Sequence, residues 1–177
     1  MLRNATIHDV PGMLDIYRPY ILDTAITFEY DVPTLAEFEA RFLSVTEKFP
    51  WLVWEEHGEL LGYAYASPFK TRSAYQWDAD LSIYLRQDCR GKGIGKILYA
   101  ELEDRLRDLG YHVLYGVVTS ANEASCRFHE ALGYRPIATF ERTGVKFGRW
   151  YGITWYEKRI REGVPDAPPR TTAKGSP

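Results

Sequence analysis

The chain has 177 residues and a mass of 20.4 kDa, the size of one domain with at most a short tail. Hydrophobic residues make up 45% and charged residues 26%, which excludes a disordered or fibrous protein and leaves an ordinary globular one. The net charge of −2 gives no overall positive field to hold nucleic acid or an acidic membrane, so an anionic ligand has to be met by a local cluster.

Leu2 to Ala5 reads as a short first strand. Thr6-Ile7-His8-Asp9 has the form of a helix start, and Val10, Leu14, Ile16, Tyr17 and Ile21 follow at near-helical spacing. Thr34-Leu35-Ala36-Glu37 repeats the capping box and opens a second helix through about Glu47. Trp51 to Glu55, a His57-Gly58 turn and Leu60 to Ser67 predict a hairpin. Asp78 to Leu85 alternates: Leu81, Ile83 and Leu85 face one side, Asp80, Ser82 and Tyr84 the other.

A glycine-rich turn leads into a long amphipathic helix with Ile94, Leu98, Leu102, Leu106 and Leu109, closed by Gly110. Tyr111 to Val118 is a buried-type strand, and Ser120-Ala121-Asn122-Glu123 caps a helix that stops at Gly133. Strands near Arg135 to Glu141 and Trp150 to Lys158 complete a domain over 1–162, and the Pro-rich segment 163–177 reads as a disordered tail. The order predicts an α+β sandwich with a mixed, mostly antiparallel central sheet flanked by helices. Cys89 and Cys126 are too few for a disulfide framework or a Cys-rich metal site. With no signal-peptide or membrane-span pattern, a reduced, cytoplasmic, metal-free protein is expected.

The turn Arg90-Gly91-Lys92-Gly93-Ile94-Gly95-Lys96 lies between a strand end and a helix start. Glycines let successive N–H groups converge, the helix dipole favours an anion, and Arg90, Lys92 and Lys96 add counter-charge, which suits a diphosphate. A flexible turn with solvated basic residues is the plainer alternative. A Walker A loop fails because Arg90 stands where glycine and Ile97 where Ser or Thr is needed; a dinucleotide fingerprint fails because Lys96 occupies its third glycine position.

Arg90-x-x-Gly93-x-Gly95 resembles the Arg/Gln-x-x-Gly-x-Gly/Ala motif of the GNAT superfamily of acyl-CoA-dependent N-acyltransferases, at the same place between fourth strand and third helix. Asn122-x-x-Ser125-x-x-Phe128-x-x-x-Leu132-Gly133-Tyr134 resembles that family's second acetyl-CoA segment. Within the superfamily, the segments from Tyr63 to Ala66 and Pro68 to Trp77, then His129 to Tyr134 and Lys146 to Trp150, are similar to the phosphinothricin and methionine sulfoximine N-acetyltransferases.

The resemblance implies acetyl-CoA as co-substrate, with its diphosphate on Arg90 to Lys96, its pantetheine against Leu81, Ile83 and Leu85, and further contacts from Asn122 and Ser125. It implies a small-molecule amine as acceptor, a homodimer, and no nucleic-acid or membrane partner. Asp80 falls at the catalytic carboxylate, where the family usually has Glu; an ammonium must lose a proton before it attacks a thioester. Asp is one methylene shorter, which favours a route through one water, and a polar strand terminator is the plain reading. His129 stands where many members carry the Tyr that protonates the departing thiolate. It is read as that acid, as a hydrogen-bond partner of the sulfur, or as a solvent-facing helix residue. Lys70, Arg72 and Tyr75 suit an acceptor bearing a carboxylate and a phosphinate or sulfoximine, against the alternative of a solvated basic loop. Phe28, Tyr84 and Trp150 are taken as aromatic walls, though such residues are commonly plain core. A protein N-acetyltransferase and a non-catalytic acetyl-CoA sensor remain as other functions.

Overall fold

The computed structural model describes residues 1–172. Its elements are β1 (Leu2–Asn4), α1 (Val10–Asp23), α2 (Leu35–Thr46), β2 (Trp51–Glu56), β3 (Glu59–Pro68), β4 (Asp78–Leu85), α3 (Ile94–Leu109), β5 (Val113–Thr119), α4 (Glu123–Ala131), β6 (Arg135–Lys146) and β7 (Arg149–Arg159). The strands form one sheet in the order β1-β2-β3-β4-β5-β7-β6. Every pairing is antiparallel except that of β4 with β5. The fold is therefore an α+β sandwich, as the pattern predicts.

Each face of the sheet buries its own apolar layer. On one face α3 sets Leu98, Leu102 and Leu106 against Leu52, Ala64, Ala79, Leu81 and Leu114. On the other, α1 and α2 pack Met13, Tyr17, Ile21, Phe38 and Phe42 against Trp51, Val53 and Tyr63. Strict alternation in β4 sends Ala79 and Leu81 into the first layer and leaves Asp80 and Ser82 on the second face.

The parallel ladder between β4 and β5 is short. It pairs Asp78 with Val113, Ala79 with Leu114 and Asp80 with Tyr115, and then the two strands part. β5 continues against β7 to Thr119, and β4 continues against β3 to Leu85, leaving a cleft between them. α4 packs next to these elements, with its Phe128 beside Gly95 of α3 and its His129 beside Gly116 of β5.

Three boundaries differ from the sequence reading. The Thr6-x-x-Asp9 box opens a 3-10 turn, Ile7–Asp9, and the α-helix begins only at Val10. β6 runs on to Lys146 because an edge strand with one partner tolerates the polar residues that look like loop. Residues 165–172 lie along the domain: Trp77 Nε1 donates to the Ala167 carbonyl at 2.9 Å, and Arg170 N to that of Leu109 at 2.8 Å. The rest of the expected tail, 173–177, lies outside the described residues.

Candidate active site

Asp80 sits at the point where β4 and β5 part, opposite Ser67 on β3 and Tyr115 on β5. Its Oδ1 is closed off from solvent and has no hydrogen-bond partner. Burial pushes its carboxyl up to about 7, opposed by a hydrogen bond from the Leu81 N–H and by the charge of Lys70. A carboxylate so placed is a base matched to neutral pH.

His129 is buried, not solvent-facing, which removes one of the three readings. The inner side of α4 carries Cys126, Phe128, His129 and Leu132, whereas Ala124 and Ala131 are exposed. The His129 ring stacks on Tyr156 at 5.4 Å and lies against the bare Cα of Gly116. His129 Nδ1 is 2.8 Å from the Ser125 carbonyl, so that nitrogen carries the ring proton, and Nε2 accepts from the Tyr99 hydroxyl at 3.2 Å. Burial lowers the imidazole's pKa and keeps it neutral. In this tautomer the Nε2 lone pair is taken up by the Tyr99 O–H, so the two side chains satisfy one another.

The glycine turn has the backbone its sequence suggests. Gly91 and Gly93 have φ of +77° and +82°, conformations that side chains disfavour. Gly93 is the N-cap of α3 with no side-chain cap, so the first N–H groups of the helix point outward for an incoming anion. Arg90, Lys92 and Lys96 are all exposed there, and the Arg90 guanidinium lies over the Tyr20 ring at 5.5 Å. Ile94 and Gly95 are buried beneath the turn. Gly95 allows α3 to approach Ile83 and Phe128, where an added Cβ would lie 3.4 Å from each. Asn122 caps α4 by accepting from the Ser125 N–H at 3.3 Å.

Lys70, Arg72 and Tyr75 share the β3–β4 loop. Lys70 Nζ lies 5.2 Å from the rings of both Phe69 and Trp155, and Phe69 stacks on Tyr115 at 4.1 Å. The loop is thereby anchored beside the strand position that carries Asp80. Tyr75 meets Phe69 edge-on at 5.9 Å. The three aromatic walls are not brought together. Tyr84 belongs to the core with Tyr17, Tyr20 and Tyr63; Phe28 fills the space over Gly144; Trp150 is 57% exposed on β7.

Residues without an assigned role in the sequence complete the surroundings. Lys146 is buried and donates to the Ile21 and Thr27 carbonyls at 2.6 and 2.9 Å, at the C-terminal end of α1 where a cation is favoured. Thr119 donates to the Ala25 carbonyl at 2.8 Å, and Tyr30 to that of Val145 at 2.6 Å. The α1–α2 loop is thus fastened to β5 and to the β6–β7 hairpin. A cavity of about 550 Å³ lies there, between Thr24, Ile26, Asn122, Phe147 and Arg149.

A split parallel strand pair, a glycine turn on a helix N-terminus and a buried carboxylate at the fork belong to one strand–turn–helix unit, β4 to α3. A family model described as an acetyltransferase (GNAT) domain matches residues 2–155. The chain belongs to the GNAT acetyltransferase family.

This acetyltransferase is 34% identical over 163 residues to the phosphinothricin N-acetyltransferase of Streptomyces coelicolor, covering 90% of this chain and 95% of that one. It is 34% identical over 171 residues to the L-methionine sulfoximine/L-methionine sulfone acetyltransferase of Salmonella typhimurium, covering 94% and 98%. Among solved structures, the phosphinothricin acetyltransferase of Sinorhizobium meliloti in complex with AcCoA matches with a TM-score of 0.90 at 37% identity, over 95% of this chain and 92% of that one.

GNAT enzymes use acetyl-CoA as co-substrate, and this acetyltransferase has features that fit it. The open N–H groups after Gly93 and the flanking cations suit a diphosphate. The edge of β4 from Leu81 to Leu85 that faces away from β3 has no ladder with β5 and offers backbone groups to the amide-bearing pantetheine arm. Tyr99 is the site neighbour that sequence reasoning missed; its helical position reads as core, and only its contact with His129 separates it from Leu98 and Leu102.

Proposed function

We propose that this acetyltransferase moves the acetyl group of acetyl-CoA to the α-amine of a small amino-acid analogue of the phosphinothricin, methionine sulfoximine or methionine sulfone type. Transfer is direct, within a ternary complex. The observation that carries this reading is Asp80: a desolvated carboxylate with its Oδ1 unpartnered and a pKa of about 7, at the fork between β4 and β5.

In this reading Asp80 takes a proton from the acceptor's ammonium, directly or through one water. The freed amine attacks the thioester carbonyl, the C–N bond forms, and the C–S bond breaks; the surplus proton on nitrogen passes to the CoA thiolate, which leaves as the thiol. Strand N–H groups of β4 beyond Asp80 polarise the carbonyl. Lys70 and Arg72 hold the acceptor's acidic groups, and Tyr75 adds a hydroxyl. Holding both substrates together supplies much of the rate, with effective molarities of roughly 10⁵ M in well-oriented models. Cys126, half-buried on α4, forms no acyl intermediate. The enzyme works as a cytoplasmic homodimer; the exposed apolar residues Ile137, Phe140 and Val145 of the edge strand are compatible with a covered surface.

The test is CoA-thiol release from acetyl-CoA with phosphinothricin, methionine sulfoximine, methionine sulfone, ordinary amino acids and lysine peptides. Fast release with the first three alone supports the proposal. Release with peptides only makes the enzyme a protein acetyltransferase, and acetyl-CoA binding without release makes it a sensor.

A further inference from the structure

We infer that residues 165–172 form a buttress that holds the Lys70–Tyr75 loop in its acceptor-binding arrangement, with Trp77 and Arg170 as its positioning residues. This rests on the reading of that loop given under the proposed function.

The loop has little support of its own. Residues 70–76 are all exposed, and the two backbone hydrogen bonds within it, Tyr75 N to the Arg72 carbonyl and Gln76 N to that of Ser73, are local. Its front rests on the Phe69–Tyr115 stack. Its back faces a cavity of about 420 Å³, closed on the far side by Pro169 and Thr171 of the C-terminal segment, with Phe49 and Tyr111 also in its wall. Lys70, Arg72 and Tyr75 all line that cavity.

The C-terminal segment is itself held at three places in the domain. Arg170 N donates to the Leu109 carbonyl at 2.8 Å, and its guanidinium donates to the carbonyl of Asp108. These are terminal carbonyls of α3, which lack helical partners and favour a cation. Thr172 Oγ1 donates to the Thr46 carbonyl of α2 at 2.8 Å. Trp77, between the loop and β4, donates Nε1–H to the Ala167 carbonyl at 2.9 Å, while its own carbonyl accepts from His112 N at 2.8 Å. Pro169 adds stiffness where the segment passes Gly110. The buttress therefore ties one edge of the acceptor loop to α3, α2 and the start of the strand that bears Asp80. Loosening it widens the range of positions open to Lys70 and Arg72, whose long side chains already lose much freedom on binding a ligand.

The experiment uses full-length enzyme carrying Trp77→Phe, which keeps the ring and removes the donor, or Arg170→Ala, with Arg170→Lys as the conservative partner. Two readouts are taken: hydrogen exchange of the 69–76 amides, and steady-state kinetics with methionine sulfoximine and phosphinothricin. Each hydrogen bond contributes about 1 kcal/mol, so the amine KM rises roughly fivefold while kcat and the acetyl-CoA KM stay within about twofold. Exchange of the 69–76 amides accelerates, and Arg170→Lys recovers part of both effects. Unchanged loop exchange in Trp77→Phe and Arg170→Ala overturns the proposal. So does a parallel loss in every kinetic constant with a lowered Tm, which marks a merely structural segment. If the loop exchanges faster but the parent enzyme acetylates neither amine, the acceptor assignment fails and the buttress stands.

Discussion

A Cβ added to Gly116 would lie 2.6 Å from Nε2 of His129, so the buried ring occupies the space that any other residue on β5 would fill. The same nitrogen accepts the Tyr99 hydroxyl, and its position is set jointly by β5 and α3. Gly116→Ala forces the ring off Tyr99 and into the cleft between β4 and β5. We expect a folded enzyme with a lowered kcat, and Tyr99→Phe to share the defect while costing about 1–3 kcal/mol of stability through the unpaired Nε2. Stopped-flow turnover together with thermal unfolding of both variants checks this.

Asp80 titrates at about 7 against an ordinary value of 3.8, so its proton is held more tightly in the folded chain than in the unfolded one. Turnover rises with pH through about 7 as the base form appears. Stability moves the other way: the contribution of this carboxyl is full below its ordinary value and is lost as pH climbs through 7. Asp80→Asn should flatten the pH–rate profile and lower kcat by roughly 10²–10⁴. It should also raise Tm at pH 8 but not at pH 4. A pH–rate profile unchanged by the substitution removes Asp80 from the reaction.

Gly93 adopts φ +82° with no neighbour near its missing Cβ, so a substitution there strains the backbone without a clash. Gly93→Val redirects the first N–H groups of α3, and losing one or two such contacts to a diphosphate raises the acetyl-CoA KM roughly tenfold. The amine KM stays as it was. Calorimetric titration with acetyl-CoA reads this directly.

Glu103 on α3 is 6% exposed, with Lys158 of β7 its ion-pair partner and its Oε1 without any partner. Lys158→Ala strands a buried carboxylate and costs about 3 kcal/mol or more, while Glu103→Gln with Lys158→Met recovers most of it. Denaturant unfolding of the single and double variants measures the difference.

Elements with a self-contained signal were legible. β4 was read to the residue, Asp78 to Leu85, because strict alternation on a central strand reflects burial alone. α3 stops where Gly110 takes φ +101°. The glycine turn and Asp80 came from local spacing and from resemblance. The setting of His129 was not legible, because it depends on a glycine of another strand. The fate of the C-terminal segment was equally hidden: its prolines and polar residues read as disorder, and only the unpaired carbonyls of α3 give Arg170 a place to dock. The packing of Tyr84 was hidden for the same reason, since alternation gives its side of β4 but not the tyrosines of α1 that lie against it.

Lys146 reaches from the β6–β7 hairpin into the carbonyls of Ile21 and Thr27, and Tyr30 returns the link to Val145. Two segments distant in sequence are thus one structural unit. A graft that imports only the α1–α2 loop from a relative would leave an ammonium group in the interior facing carbonyls that have moved. A loop exchange between members of this family has to carry residues 24–34 and 144–149 together, or carry neither.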